Sequence, residues 1–207
     1  SRTVGSWLGE LQFRVRWLQR RQLQRELALA LGRDRNDPPM SALLREAYRV
    51  NNGAALEIMS MFFQRQKEDE LAARCQLDGL EHLRAAMAGG RGVILLGTHM
   101  GNALLATIRL AQAGWAVSVV YRDARMMSDG FFQSGLEQYG IQGILANGGI
   151  RAYGQMLGAL KKGRIVFLMM DQGVKEAEDG LMQRFIGKDL PMPAGPAQLA
   201  RASRAPL

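Results

Sequence analysis

The feature that most constrains the fold is an uninterrupted apolar run at Val93–Leu96, which leads into a turn and then into a helical pattern. No polar residue alternates within this run, as is typical of a strand buried on both faces of a parallel sheet. Gly97 and Thr98 end the run, and His99 follows them before apolar residues recur at helical spacing from Leu104. The pattern therefore places a histidine between the C-terminal end of a buried strand and the N-terminus of a helix, which is where open α/β sheets usually have their binding and active sites.

Strands and helices alternate throughout the chain downstream of this run. Gly114, Gly140 and Gly163 stand where a helix has to stop and lead into the next strand, which is a common position for glycine. The sequence therefore predicts an α/β fold with a mainly parallel central sheet flanked by helices and an N-terminal helical segment. The predicted strands are Gly92–Leu96, Ala116–Tyr121, Ile141–Leu145 and Arg164–Met170, and the predicted helices are Asn102–Ala113, Asp129–Tyr139, Ile150–Lys162 and Pro196–Arg204.

Length and composition suggest how the chain is organised. We expect an N-terminal helical, membrane-associating segment at residues 1–90 and an α/β core at residues 91–207, incomplete at its C-terminal end because residues 205–207 stand where a further strand would begin. A hydrophobic fraction of 47% is ample for such a core. No apolar stretch reaches the roughly 18 residues of a membrane span. One cysteine, Cys75, cannot form an internal disulfide.

The first helix is basic and amphipathic. Apolar residues recur at helical spacing, and five arginines in the same region are opposed by Glu10 and Glu26 alone. Such a helix can lie in the headgroup region of an anionic bilayer, or it can pack on its own domain with a solvated basic side, and the two roles are compatible. The apolar residues are Trp7, Leu8, Leu11, Val15 and Leu18, and the arginines are Arg14, Arg16, Arg20, Arg21 and Arg25.

Further helices are predicted before residue 90. Asp34–Pro39 should form a loop, because its two prolines end any preceding helix, and Ser41 should cap the helix that follows. Gly53 is a candidate break, after which Leu56–Gln66 is apolar on most sides. Its large residues either form core, which is the more common role, or line a groove for an acyl chain, to which thioethers adapt well. These residues are Met59, Met61, Phe62 and Phe63.

The net charge of +8 indicates an acidic partner, which could be nucleic acid, an anionic membrane surface or an acidic protein. Nucleic acid is the least favoured of the three, because aromatic residues make up only 7% of the chain and do not alternate with basic residues as stacking platforms do. A nucleotide-binding α/β protein is also disfavoured, since the sequence has neither a Gly-x-Gly-x-x-Gly nor a Walker pattern.

Several motifs, in this order and spacing, resemble the late acyltransferases of lipid A biosynthesis. Together with the basic N-terminal helix, they extend the resemblance over nearly the whole chain. The resemblance implies an acyltransferase fold, with a short apolar loop after Phe185 and a helix beyond it. The motifs are GTHMGNALL at residues 97–105, VVYR at Val119–Arg122, LKKG at Leu160–Gly163, MMDQG at Met169–Gly173 and FIGKDLPMPAGPAQLAR at Phe185–Arg201.

The resemblance also implies a function. It implies a peripheral protein on the cytoplasmic face of a bacterial inner membrane, which moves a fatty acyl group from an acyl carrier protein or coenzyme A thioester to a hydroxyl or amine of a lipid acceptor. The implied partners are an acidic acyl carrier protein and an anionic membrane surface, and no metal or nucleotide cofactor is implied. The alternative is a non-catalytic relative that binds lipid or acyl carrier protein.

The matching motifs nominate individual residues. His99 matches the family's general base, and Gly101 and Asn102 match its His-x-Gly-Asn pattern, in which asparagine positions the base or caps the helix. Arg122 follows a buried strand and matches a family arginine that would bind phosphate or the thioester end of the donor. Gln172 should lie at the same sheet edge as His99 and is a candidate for binding substrate.

One departure concerns the partner of the base. Family members carry His-x4-Asp/Glu, but the fifth residue after His99 is Leu104. Side chains just past the ends of parallel strands converge, so an acid that follows another strand is the natural substitute. Asp123 and Asp171 are the candidates, and Asp123 can instead pair with Arg122 beside it. We predict that Asp171 serves as the catalytic acid, as the partner of His99 or as a group that orders Arg122.

Overall fold

The computed structural model describes residues 2–34, 36–122, 128–172, 174, 180–185 and 188–207. The helices are α1 Arg2–Val15, α2 Trp17–Leu31, α3 Pro38–Phe63, α4 Glu68–Ala72, α5 Leu80–Met87, α6 Ala103–Gln112, α7 Phe131–Glu137, α8 Ile150–Lys161 and α9 Gly195–Ser203, with a 3₁₀ turn at Ala146–Gly148. The strands are β1 Val93–Gly97, β2 Val117–Tyr121, β3 Gln142–Leu145, β4 Ile165–Met169, β5 Gly180–Phe185 and β6 Lys188–Pro193.

The chain divides into two compact units. The helical unit comprises Ser1–Ser60 and Val174–Met192, and the sheet unit comprises Met61–Gly173 and Pro193–Leu207. The boundary predicted at residue 90 lies inside the sheet unit, just before its first strand. As a boundary between domains it stays a prediction.

The sheet unit confirms the predicted fold class. Its four strands pair in the order β1-β4-β2-β3, and every pair is parallel. Each of these strands, and each helix from α6 onward, begins and ends within two residues of its predicted position. The central strand β4 is covered on both faces, because its consecutive residues Ile165, Val166 and Phe167 are all buried. Ile94, Val166 and Ile144 form one cluster with residues of α8 and α9, including Leu160 and Leu199.

Residues 205–207 lie beside β1, which is an outermost strand of the sheet. The backbone N–H of Ile94 in β1 donates to the carbonyl oxygen of Pro206, at 2.9 Å. Ala205, just before it, is buried in the same cluster as Ile94. The last residues therefore cover the side of β1 that faces away from β4.

In the helical unit, α1 packs closely on α3. A Cβ atom added to Gly9 would lie 2.5 Å from the carbonyl oxygen of Tyr48, and one added to Gly5 would lie 2.5 Å from the Cα of Gly53. Only glycine permits this approach of one backbone to the other. Phe13, on the same face of α1, is buried and meets the Tyr48 ring edge-on at 5.9 Å between centroids. No helix in the described part of the chain is long and apolar enough to cross a membrane.

Two local predictions for α3 were wrong. The helix begins at Pro38, before the predicted cap Ser41, and it continues through Gly53 without a break. Prolines suit the first helical turn, where a backbone N–H would have no partner in any case, so here they begin a helix. Gly53 lies inside a continuous helix, where a Cβ atom added to it would meet nothing within 4 Å, so the approach of α1 requires glycine at position 5 and not at position 53.

The predicted apolar loop after Phe185 was also wrong, because residues 188–193 form β6, which pairs with β5. All residues of β5 from Leu181 to Phe185 are exposed, so the strand has no alternation of buried and exposed positions to reveal it. Pro191 and Pro193 in β6 also argue against a strand in the sequence. Both segments are strands because β5 and β6 pair with each other, and a local sequence pattern does not report such pairing.

Candidate active site

The residues nominated from the sequence follow three strands of the sheet unit. His99 follows β1, Asp171 and Gln172 follow β4, and Arg122 follows β2. The strands are parallel, so all four residues lie at the same edge of the sheet. This edge is the candidate active site.

The register of β1 and β4 brings His99 and Asp171 together. Gly97 at the end of β1 stands opposite Met169 at the end of β4, and the next backbone N–H, that of Met170, donates to the carbonyl oxygen of Gly97 at 3.3 Å. His99 and Asp171 each come two residues after this matched pair. Gly97 also leaves room for the ring of Phe167, which a Cβ atom there would meet. The end of β1 is thus packed firmly against β4.

Asp171 holds His99 at two points. Its Oδ2 accepts the backbone N–H of His99 at 2.7 Å, and its Oδ1 lies 2.7 Å from the ring Nδ1. The first bond fixes the backbone just after β1, and the second fixes the orientation of the imidazole. The structure therefore places the Asp171 carboxylate, which follows β4, against both the backbone and the ring of His99.

The same contacts favour the ionised form of Asp171 and fix the tautomer of the neutral His99 ring. Partial burial raises the pKa of the Asp171 carboxyl, but the hydrogen bonds from the His99 ring and backbone outweigh burial and leave this pKa below its usual value. The carboxylate is therefore ionised at neutral pH and can only accept hydrogen bonds. In neutral His99 the proton consequently lies on Nδ1, and the lone pair lies on Nε2. The His99 side chain is 47% exposed, so that lone pair is accessible.

Gln172 lies beside the free nitrogen of this ring. Its side-chain Nε2 is 3.4 Å from Nε2 of His99. The side chain is exposed and follows Asp171 directly in the chain. The imidazole therefore has the carboxylate at one nitrogen and a carboxamide at the other.

Gly101 and Asn102 shape the turn between His99 and α6. Gly101 has a φ of 60°, in the left-handed region that favours glycine. Asn102 Oδ1 accepts the backbone N–H of Leu105 at 3.2 Å, so Asn102 caps α6. Of the two roles left open for Asn102, the structure shows the cap. Contact of Gly101 and Asn102 with substrate stays a prediction.

Arg122 and the second candidate acid follow β2. The Arg122 side chain is exposed at the end of that strand. Since β4 lies between β2 and β1, Arg122 follows a strand about 10 Å from the one that leads to His99. Asp123, the alternative acid, lies outside the described residues. Of the two roles predicted for Asp171, the structure shows the contact with His99.

Large apolar and aromatic residues also occupy this edge of the sheet, and the sequence patterns did not single most of them out. Met100 beside His99 is 79% exposed, and Ile150 at the start of α8 is 91% exposed. Of the aromatic residues predicted as core or groove, Phe62 is buried and Phe63 is 74% exposed. The Phe63 ring lies 5.4 Å from that of Phe131 at the start of α7. These residues differ from core residues only in their exposure, which the sequence does not show.

Leu104, at the position of the family's acid, is a core residue of α6 with 6% of its surface exposed. We expect Leu104→Glu to lower the free energy of unfolding by about 3 kcal/mol or more, because it removes apolar packing and buries a carboxyl group. Chemical denaturation measures this loss, and Leu104→Met, which keeps the volume, should cost less than about 1.5 kcal/mol. A stable Leu104→Glu protein would show that position 104 still accepts an acid.

Within the described ranges, no group of three or more histidine, cysteine, aspartate or glutamate side chains is placed to hold a metal ion.

Comparison with known proteins relates the chain to bacterial acyltransferases. Two relatives, both called phosphatidylinositol mannoside acyltransferase and both from Mycobacterium tuberculosis (strains ATCC 25618 / H37Rv and CDC 1551 / Oshkosh), are 31% identical to the chain over 128 residues. The match covers 60% of this chain and 39% of each relative, so the chain spans about two fifths of their length. The model of the family described as bacterial lipid A biosynthesis acyltransferase matches residues 1–207. The chain therefore belongs to the bacterial lipid A biosynthesis acyltransferase family.

Proposed function

We propose that this protein is an acyltransferase that moves a fatty acyl group from an acyl carrier protein or coenzyme A thioester to a hydroxyl or amine of a lipid-like acceptor. The observation that carries the proposal is the His99–Asp171 pair at the C-terminal edge of the sheet, in a chain that belongs to an acyltransferase family. The names of the relatives favour a glycolipid acceptor, because a mannoside presents sugar hydroxyls.

The geometry supports a direct transfer. The acceptor O–H gives its proton to Nε2 of His99, while Asp171 holds the proton on Nδ1 and stabilises the imidazolium that forms. The acceptor oxygen bonds to the thioester carbonyl carbon, and the tetrahedral intermediate then breaks its C–S bond. The leaving thiolate takes the proton from Nε2, which restores neutral His99. We propose that no metal or nucleotide cofactor takes part.

Four further residues are proposed to bind substrate: Gly101, Asn102, Arg122 and Gln172. Arg122 has an exposed guanidinium at the catalytic edge and suits a phosphate of the donor or acceptor, because its fork of N–H groups matches phosphate oxygens. An acidic acyl carrier protein would be attracted by the net charge of +8.

The function is tested with purified protein and labelled acyl donors. Acyl carrier protein and coenzyme A thioesters are each mixed with a membrane lipid extract, and mass spectrometry then identifies any lipid that has gained an acyl chain. Transfer from either donor supports the proposal. The alternative, a non-catalytic relative, is motivated by Leu104 at the position of the family's acid. It is supported if no lipid gains mass while the protein still binds acyl carrier protein or lipid.

We propose that the protein lies on an anionic membrane surface, at the cytoplasmic face of a bacterial inner membrane. In the helical unit, one face of α1 packs on α3 through its glycines and Phe13, and another presents an apolar ridge at helical spacing. An exposed apolar ridge beside arginines suits the headgroup region of an anionic bilayer. The ridge consists of Val4 (57% exposed), Trp7 (64%), Leu11 (45%) and Val15 (67%), and Leu18 (69%) follows it in α2.

Arginines of this region also make contacts within the helical unit, as Arg14 and Arg20 illustrate. Arg14 pairs with Glu10 at 3.0 Å, and Arg20 donates to the carbonyl oxygen of Phe13 at 3.1 Å. The guanidinium of Arg20 also lies over the Phe13 ring, 4.7 Å from its centroid. Substitution of either arginine would therefore disturb packing as well as charge.

Glutamate at two ridge positions, Trp7→Glu with Leu11→Glu, is expected to weaken binding to anionic vesicles by at least about tenfold. The change removes the apolar contact and adds charge that an anionic surface repels. Flotation with vesicles containing phosphatidylglycerol measures the effect, and high salt should weaken wild-type binding by screening the arginines.

The control for this prediction is Leu43→Glu, because Leu43 is 48% exposed on α3 and lies outside the ridge. Its binding should fall much less than that of the double variant. Equal flotation of the wild type and the double variant would assign the ridge a role other than membrane contact.

A further inference from the structure

We propose that Gln172 is a catalytic residue. Before substrate binds, its carboxamide N–H donates a hydrogen bond to Nε2 of His99, and during transfer it donates to the thioester carbonyl oxygen. This inference rests on the proposed function and adds to it the group that stabilises the negative charge of the intermediate. It concerns a residue that the sequence nominated only as a substrate contact.

The resting contact follows from the protonation of the imidazole. Asp171 takes the Nδ1–H of His99, so Nε2 of the neutral ring carries a lone pair and no hydrogen. The nitrogen of the Gln172 carboxamide, which carries two hydrogens, lies 3.4 Å from Nε2. An amide N–H facing a lone pair is a long hydrogen bond, and it occupies the site at which the acceptor hydroxyl must deliver its proton.

Substrate binding has to displace this contact. A hydroxyl that gives its proton to Nε2 lies within about 2.6–3.2 Å of that nitrogen, so the acceptor oxygen and the Gln172 N–H cannot both occupy its lone pair. The contact is long and the Gln172 side chain is exposed, so it can turn aside. The donor that is released remains next to the reacting atoms.

The carbonyl oxygen of the thioester is the natural acceptor for the released N–H. When the acceptor oxygen bonds to the carbonyl carbon, the π electrons of the C=O bond move to the carbonyl oxygen, which becomes an oxyanion. One carbon atom separates this oxyanion from the oxygen at Nε2, so a donor displaced from Nε2 can reach it. Donors aimed at such an oxygen are among the largest contributions to acyl transfer.

Gln172 takes and gives no proton in this sequence. The proton of the acceptor moves to Nε2 and then to the thiolate that leaves when the C–S bond breaks. The carboxamide contributes one N–H hydrogen bond throughout, first to nitrogen and then to oxygen. A carboxylate at position 172 would repel the oxyanion, and an apolar side chain would leave it without this donor.

The test uses Gln172→Leu and Gln172→Glu, which keep approximately the size of the side chain and remove the donor. Each should lower kcat by about 10²–10³-fold and change the KM of the acyl donor only a few-fold. Gln76→Leu and Gln76→Glu are the matched controls, because Gln76 is also exposed in the sheet unit and lies outside the site. A folded Gln172→Glu enzyme with wild-type kcat would overturn the proposal.

A second measurement separates this inference from the proposed function, since it needs no substrate. The chain has two histidines, so ¹⁵N-histidine labelling gives a simple ring spectrum. Loss of the amide contact in Gln172→Leu should move the Nε2 signal of His99 and leave that of His82 unchanged. If the wild type transfers no acyl group, the proposed function fails, and this spectrum still decides the resting contact. An unchanged Nε2 signal of His99 would mean that Gln172 does not contact this nitrogen in the resting protein, which would overturn the proposal.

Discussion

His99→Ala is expected to reduce acyl transfer by about 10²–10⁴-fold, because the general base is lost. The fold should survive, since the imidazole is 47% exposed and the backbone N–H at position 99 can still donate to Asp171. Initial rates with labelled acyl donor measure the loss, and thermal unfolding checks that the Tm is retained. His82→Ala is the matched control, because the chain's other histidine is 87% exposed beside Glu81 and should be dispensable. Transfer at the wild-type rate by a folded His99→Ala protein would refute the proposed mechanism.

Asp171→Asn is expected to have an effect of similar size, about 10²–10⁴-fold on kcat. An asparagine amide can donate to Nδ1 of His99, which favours the tautomer with its hydrogen on Nε2 and removes the lone pair that must take the proton. The amide oxygen of the introduced asparagine can still accept the backbone N–H of residue 99, so the fold should be kept. Asp78→Asn, at an exposed position before Gly79, controls for the loss of one negative charge. Unchanged kcat in Asp171→Asn would show that the contact between Asp171 and His99 has a structural role only.

The same substitution gives a dependence of stability on pH. The pKa of Asp171 in the folded protein is lower than its ordinary value of 3.8. A carboxyl group of this kind contributes stability above its unfolded pKa, and the contribution is lost as the pH falls through the folded pKa. The difference in unfolding free energy between the wild type and Asp171→Asn should therefore be largest at neutral pH and decline below about pH 4. A difference that is constant from pH 7 to pH 3 would mean that the contact with His99 does not stabilise the ionised form.

Local sequence was enough to predict the elements of the sheet unit. Two uninterrupted apolar runs, at Val93–Leu96 and Ile165–Met170, predicted strands buried on both faces, and glycine after each intervening helix predicted where that helix ends. These signals worked because a strand covered on both faces has to be apolar throughout. The same reasoning failed for β5, whose exposed residues have no pattern of burial, and for α3, in which Gly53 lies inside a continuous helix and does not break it.

The sequence by itself determined that His99 follows a buried strand and that acids follow two other strands of the same sheet. It favoured Asp171 over Asp123, but it left open whether Asp171 contacts His99 or orders Arg122, because strand order and register arise from contacts between distant segments. The tertiary structure decided this point. It places β4 next to β1 with Gly97 opposite Met169, so that Asp171 reaches both the backbone N–H and the ring of His99. It also closed α6 over Leu104, so that the position of the family's acid became part of the core. Local patterns report which face of an element is buried, whereas a catalytic pair depends on which elements become neighbours.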